Sequence, residues 1–328
     1  MVKISDLLAE RAVNPDGLHA IVTEVVTKDG KNGQYLTGKL SDNTGSIKFN
    51  VWDGGGSTAG IMKQGAPVVI CAGALDSYQG VAQVNIKVAN AVSRGVAEAA
   101  GIIPASPCSQ EQLDTMLGQV VELIEKTGMQ NGLSCIRDVL NEMDEDGVLK
   151  VWKTMPAALK LHQAYVRGLL EHSLSVARIA HRTLTVYRDM PGYIGCDEAL
   201  LLTGALFHDI GKVWEYELSP LGLADSFTLN GGMTGHLFGG ATYINKLYSG
   251  KVSQDMILRL QHIILSHHGK KEWGSPVEPA FFEALVIHSA DMVDSQFGYY
   301  TTNVPSSGMW VQNFGRAPIL NPSPFILL

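Results

Sequence analysis

Two hydrophobic periods divide this chain of 328 residues, and the change from one to the other limits what it can fold into. From about residue 16 to 95, apolar residues alternate in short runs: GLHAIVTEVV, QYLTGKLS, IKFNVW, APVVICAGAL and VAQVNIKV. The turn-forming stretches KDGKNG, DNTGS and DSYQG and a glycine-rich gap separate them. Five such runs predict a small antiparallel barrel. Beyond GVAEAAGIIPASPCS, which reads as a linker, the spacing becomes helical. There SQEQLDTMLGQVVELIEKTG opens with Ser109 three residues before Gln112, a capping-box arrangement, and ends near Gly128. Helical patterns then fill residues 131 to about 300, so the chain holds a barrel followed by an all-α part, each large enough for its own core. The closing RAPILNPSPFILL reads as an extended tail packed on a groove.

Within the barrel, alternation assigns faces. Ile47, Phe49 and Val51 lie opposite Lys48, Asn50 and Trp52, while Tyr35, Thr37 and Lys39 lie opposite Leu36 and Leu40. In the last run Ala82, Val84, Ile86 and Val88 form the core set, leaving Gln83, Asn85 and Lys87 outside. An outer surface of Tyr35, Lys39, Lys48, Trp52 and Lys87 mixes rings with ammonium groups, as single-strand binding requires: bases stack and lysines follow phosphates. The alternative is that Tyr35 and Trp52 cover the barrel end or pack on the second domain.

The stretch GALFHDIGKVWEY places His208 and Asp209 at the end of an apolar helical run. Asp197 can cap that helix, and Leu200, Leu201, Gly204, Ala205 and His208 recur on one face, so the pair points inward. A buried carboxylate without a partner costs several kcal/mol, about enough to force its protonation, so a cationic side chain or a metal must neutralise it. Other metal-ligand residue types stand within or beside apolar helical patterns: His172, His236, His267, His268 and Asp291. A single inward histidine is most often a hydrogen-bonded core residue; the set is a different matter.

Charge matters here because the net value of −7 argues against bulk electrostatic grip on nucleic acid. The excess is uneven: residues 1–95 carry 9 Lys and Arg against 8 Asp and Glu, and the rest carries 16 against 24. Divalent cations bound in the second part reverse the local field where a phosphate would dock. No run of about twenty apolar residues could span a bilayer, and Asp6, Glu10 and Arg11 stand where a signal peptide needs apolar residues. Cys71, Cys108, Cys135 and Cys196 form no CxxC pair, which fits reduced thiols in a cytoplasm. The glycine-rich GGGSTAG lacks the Lys-Ser or Lys-Thr of a phosphate loop, and there is no GxSxG.

The ordered set His, His-Asp, His, His-His, Asp resembles the HD phosphohydrolase superfamily. Taken with MPAALKLHQAYVRGLLEHSLSVARIA, GHLFGG, ILSHHGKKEWGSPVEP and ALVIHSADMVD, and with TKDGKNGQYLTGKLSDNTGSIKFNVWD and GVAQVNIKV before them, the chain is similar to the YhaM family nearly throughout. That resemblance implies an OB-fold nucleic-acid-binding domain over 1–95, a linker and connecting helix over 96–130, an HD domain over 131–310 and a C-terminal tail over 311–328. It also implies a metal-dependent 3′ to 5′ exonuclease acting on single-stranded RNA or DNA. By position, His172, His208, Asp209 and Asp291 would hold one metal, and His236, His267 and nearby His268 a second, with Asp209 bridging. The resemblance implies a divalent metal, typically manganese, and such a mixed donor set favours Mn²⁺, Fe²⁺ or Co²⁺ over calcium, with Mg²⁺ as a further alternative. Two such ions can activate a water and clamp phosphate oxygens.

Asp209 and Lys212 are the candidate catalytic residues, Lys212 reaching a phosphate oxygen; the alternative is a lysine serving the free carbonyls at a helix end. The sequence departs from the family at Gln163, where relatives commonly carry histidine, and at Arg167, where they usually carry glycine. Gln163 and His162 are expected beside the ligands, and Arg167 is a candidate phosphate contact. His181, His262 and His288 read as ordinary helix residues near the motifs. Two other functions remain: an HD phosphodiesterase acting on free or cyclic nucleotides, with the barrel as an interaction module, and a binding protein with a degenerate site, which the full ligand set disfavours. The sequence leaves homo-oligomer formation open.

Overall fold

The computed structural model describes residues 2–9, 14–31, 33–42, 44–159, 163–193, 195–219, 221–303, 310–311 and 319–320. The chain divides into two compact units, Met1–Ala105 with Leu218–Leu223, and Ser106–Glu217 with Ala224–Leu328.

In the first unit a short helix α1 (Ile4–Leu8) precedes strands β1 (His19–Gly30), β2 (Gly33–Asp42) and β3 (Gly45–Val51), then helix α2 (Ser57–Ile61), strands β4 (Pro67–Tyr78) and β5 (Val81–Ala91), and helix α3 (Arg94–Ala99). The strands close a barrel in the order β1-β2-β3-β5-β4, with β3 and β5 parallel and the other pairs antiparallel. This is the five-stranded closure of an OB fold. Alternation delivers Leu36, Leu40, Ile47, Phe49, Val51, Val84 and Ile86 to its core, and α1 adds Ile4 and Leu7.

The expected inward place of Val88 is corrected: it is 46% exposed, and Ala89 is buried instead. The ladder pairs Ile70 with Ala89, Ala72 with Val88 and Gly73 with Ile86, so Cys71 and Lys87 are skipped and the phase of β5 flips. Thr58 of α2 donates to the Lys87 carbonyl at that bulge (3.1 Å). Asn50 does face outward but is buried, covered by its hydrogen bonds to Gln83 and Asn85.

The second unit begins with α4 (Gln110–Thr127), α5 (Ile136–Glu145), α6 (Val148–Thr154), α7 (Gly168–Tyr187) and α8 (Glu198–Phe207). A 3₁₀ turn (Ile210–Trp214) and the short ribbon of β6 (Tyr216–Leu218) and β7 (Ala224–Phe227) lead to α9 (Leu229–Tyr248), α10 (Gln254–Ser266) and α11 (Phe282–Asn303). The capping box of Ser109 and Gln112 starts α4, and Gly128 ends it. Rather than a free connector, α4 buries Leu113, Leu117, Val120, Val121 and Ile124 in the same core as α7 and α8. Asp197 caps α8 through the Leu200 amide. All of Ala199–Phe207 is buried, so α8 is a central helix wrapped on every side rather than on one face. Among the described residues no helix is long and apolar enough to cross a membrane. Of the expected tail, the described residues are Val311, in β8 (Trp310–Val311), and β9 (Ile319–Leu320), which pair with each other.

Candidate metal centre and nucleic-acid face

Helix α8 carries its buried end directly into the site. His208 follows its last residue, and the change to 3₁₀ geometry after Asp209 stacks Lys212 over Asp209, because residues three apart eclipse in that helix. Lys212 Nζ lies 2.6 Å from Asp209 Oδ2. One sequence alternative, a cationic side chain beside the buried acid, is therefore realised. The other Asp209 oxygen, Oδ1, is buried and has no hydrogen-bond donor among the described residues.

Three further helices bring imidazoles to this carboxylate, and α11 brings a second acid. His172 of α7 lies 3.5 Å from Asp209 Oδ2 and 3.2 Å from Asp291 Oδ1 of α11, through its Nε2 in both cases. His208 Nε2 is 3.1 Å from His172 Nε2 and 3.6 Å from Asp209 Oδ2. On the Oδ1 side, His267 Nε2 stands at 3.4 Å and His236 Nε2 at 3.6 Å, with His268 Nε2 3.3 Å from His236 Nε2. The donor atoms of His172, His208 and Asp291 lie within 4.8 Å of one another; so do those of His236, His267 and His268.

Every one of these rings is anchored by its other nitrogen. His208 Nδ1 faces the Ala205 carbonyl, His267 Nδ1 that of Ile264, and His268 Nδ1 that of Trp273. His172 Nδ1 meets Asp294 at 2.7 Å, and His236 Nδ1 meets Glu215 at 2.8 Å. A proton fixed on Nδ1 leaves the Nε2 lone pair turned inward, the tautomer a metal needs. Paired Nε2 atoms near 3.2 Å repel unless a proton or a cation lies between them. With the donor-less Asp209 Oδ1 and the imidazole–carboxylate mixture, the residues present fit first-row divalent cations.

The electrostatics agree. Burial, reinforced by neighbouring His267 and His172, lowers the His208 pKa to about 4, so it is neutral near pH 7. Burial and the adjoining His267 and His236 lower His268 to about 3. Burial alone would raise Asp209, but Lys212 and His208 hold it well below the usual carboxylate range. Burial likewise opposes the charge on His172, yet hydrogen bonds to Asp209, Asp291 and Asp294 carry its pKa well above the ordinary 6.5 in the absence of metal.

Asp294 and Glu215, which hold the His172 and His236 rings, carried no expectation from the sequence. Asp294 also accepts from Gln163 Nε2 (2.9 Å), which places Gln163 behind His172 rather than among the ligands. His162 lies outside the described residues. Arg167 directs its guanidinium to the carbonyls of Ser106 and Cys108, a structural contact ahead of α4. His181 pairs with Glu198 and His262 accepts from the Ala280 amide, but His288 donates to the carbonyl of ligand His267 (2.7 Å) and so supports the centre.

On the barrel, the rings of Tyr35 and Trp52 meet at an angle of 32° with centroids 5.0 Å apart, and Trp52 is 61% exposed. Trp52 Nε1 donates to Asn85 Oδ1 (3.2 Å), tying the ring to the amide row of Asn50, Gln83 and Asn85. Lys39 and Lys48 are paired across β2 and β3. Lys39 engages Glu24 at 2.9 Å, whereas Lys48 and Lys87 are exposed. Together these form one aromatic, amide and basic face.

Residues 169–296 match the family model of the HD domain, a superfamily of metal-dependent phosphohydrolases. The match encloses the candidate ligands from His172 to Asp291. Among solved structures, the barrel is similar to the p204 HINb domain, with 16% identity over 28% of this chain and 47% of that one and a TM-score of 0.23. It is also similar to the OB domain of a Methanosarcina mazei protein, with 24% identity over 28% of this chain and 83% of that one and a TM-score of 0.22. The chain thus spans less than half the length of the p204 domain it matches. The strand order carries the OB assignment.

Proposed function

We propose that this protein is a divalent-metal-dependent 3′ to 5′ exonuclease that hydrolyses single-stranded RNA or DNA to nucleoside 5′-monophosphates in the cytoplasm. The observation that carries the hydrolase part is Asp209, whose two oxygens face separate groups of ligand atoms from five helical segments. His172, His208 and Asp291 would hold one cation and His236, His267 and His268 the other, with Asp209 common to both; Mn²⁺ suits these donors. Bound there, the cations supply a water nucleophile of near-neutral pKa and countercharge for the phosphate.

The chain's own groups set the geometry for that chemistry. The anchored Nδ1 atoms hold the His208, His267 and His268 imidazoles in one tautomer before substrate arrives. Lys212, kept charged by Asp209 despite burial, is the one ammonium the described residues place against the centre, and it is positioned to offset charge growing on the phosphate. The barrel supports a polymeric substrate: its adjacent Tyr35 and Trp52 with Lys48 and Lys87 suit a strand without demanding a base sequence.

The test is purified protein with Mn²⁺ and a 5′-labelled single strand, run beside a cyclic dinucleotide. A ladder shortening from the 3′ end is expected. Cleavage of the cyclic dinucleotide alone would replace this reading with a nucleotide phosphodiesterase.

A further inference from the structure

The turn after the paired candidate-ligand histidines, HHGKKEW, holds Lys270, Lys271 and Trp273, whose side chains the metal centre does not use. Lys271–Trp273 form one 3₁₀ turn, closed by main-chain bonds from Trp273 to Lys270 and from Gly274 to Lys271. Gly269 (φ 84°) and Gly274 (φ 98°) bracket it in the left-handed region. A Cβ at Gly269 would overlap the ring of His288, which itself holds the His267 carbonyl. The path of the turn is thus fixed by the backbone that presents the ligands.

The link to the centre is one imidazole long. The Trp273 carbonyl accepts from His268 Nδ1 at 3.1 Å, while His268 Nε2 faces His236 Nε2 at 3.3 Å. The Trp273 residue is 40% exposed, and Lys270 Nζ stands 4.9 Å from the ring centroid. Lys270 and Lys271 are both exposed. A flat ring with two ammonium groups, tied to a phosphodiester-cleaving centre, has the chemistry to hold one nucleotide: stacking for the base, cations for its phosphate.

We propose that Trp273, Lys270 and Lys271 form the subsite for the 3′-terminal nucleotide of the strand, with the base stacked on the indole. This rests on the single-strand reading above. The bond an exonuclease cuts joins the last two nucleotides, so groups beside the centre meet those bases first. Stacking tolerates any base, so the subsite would grip the end without selecting its sequence.

The test uses the full-length protein with Mn²⁺, a single strand, and the same strand ending in an abasic nucleotide. For wild type, removing the terminal base should raise KM about tenfold, the size of one base–aromatic stack. Trp273→Ala should show that rise already on the intact strand, with bound Mn²⁺ unchanged and no further loss on the abasic strand; Trp273→Phe should restore most of the difference. Replacing Lys270 and Lys271 with Ala should flatten the salt dependence of KM by roughly 0.7 per lysine on a log–log scale. A Trp273→Ala protein with wild-type KM, or one still penalised by the abasic end, overturns the subsite while leaving the nuclease reading standing. So does loss of bound Mn²⁺, which would make Trp273 a structural support. A wild-type protein that degrades no strand overturns the nuclease reading and the subsite with it.

Discussion

At the scale of single residues, Asp209 is a fully buried acid with a different kind of neighbour on each oxygen. Lys212 serves Oδ2, while among the described residues Oδ1 faces the acceptor-ready nitrogens of His236 and His267. Removing Lys212 leaves that charge without its full cationic partner, so Lys212→Met should destabilise the metal-free protein by about 3–5 kcal/mol in denaturant titration. With Mn²⁺ saturating, the same variant should bind metal normally but turn over about 10²-fold more slowly; loss of metal would mark Lys212 as structural instead. Asp294 acts one step back, through His172 Nδ1, so Asp294→Ala should weaken Mn²⁺ binding about 10- to 100-fold by calorimetry. The candidate ligand residues stood out in the sequence because histidines and acids interrupt apolar helical runs. Asp294 was overlooked although a signal was there: three residues beyond Asp291 it shares that helix face, and it is buried against His172.

Among elements, α8 and α9 set the distance between the two halves of the centre. Gly211 lies so close to α9 that a Cβ there would overlap the carbonyl of His236 and crowd the amide of Gly240, both main-chain atoms that cannot rotate away. Gly211→Ala should therefore push α9 back, cost about 2 kcal/mol of stability, and reduce bound Mn²⁺ from two ions toward one per chain. In the sequence this glycine looks like an ordinary helix stop, since close approach of another helix leaves no local signature. The barrel runs show the same limit. Their number and faces could be read from alternation, but the bulge at Cys71 and Lys87 could not, because neither residue type demands one. On the face beside it, Asp76 accepts from the Ser77 amide, Gln83 and Asn85, and these bonds hold its pKa below the ordinary 3.8. A depressed carboxylate contributes stability above its unfolded pKa and loses it as pH falls through the folded one. Carbon-detected titration should find Asp76 below 3.8, moving upward in a Gln83→Ala/Asn85→Ala variant.

For the whole molecule, the change of hydrophobic period near residue 95 announced two cores, and two units follow. Less legible was the ownership of α4, whose amphipathic pattern is the same whether a helix bridges domains or joins one; its burial with α7 and α8 decides the matter. If the barrel face carries the strand, Tyr35→Ala with Trp52→Ala should weaken binding of long single strands by about 1–3 kcal/mol for each base that stacks, with Mn²⁺ binding unaffected. Unchanged affinity in a filter-binding assay would remove the barrel from the substrate path. All of this depends on two cations meeting at one carboxylate. Anomalous diffraction at the manganese edge from crystals grown with Mn²⁺ tests that most directly. Two peaks are expected, one among His172, His208 and Asp291 and one among His236, His267 and His268, with Asp209 touching both. Ligand side chains without a peak between them, or metal bound elsewhere, would contradict it.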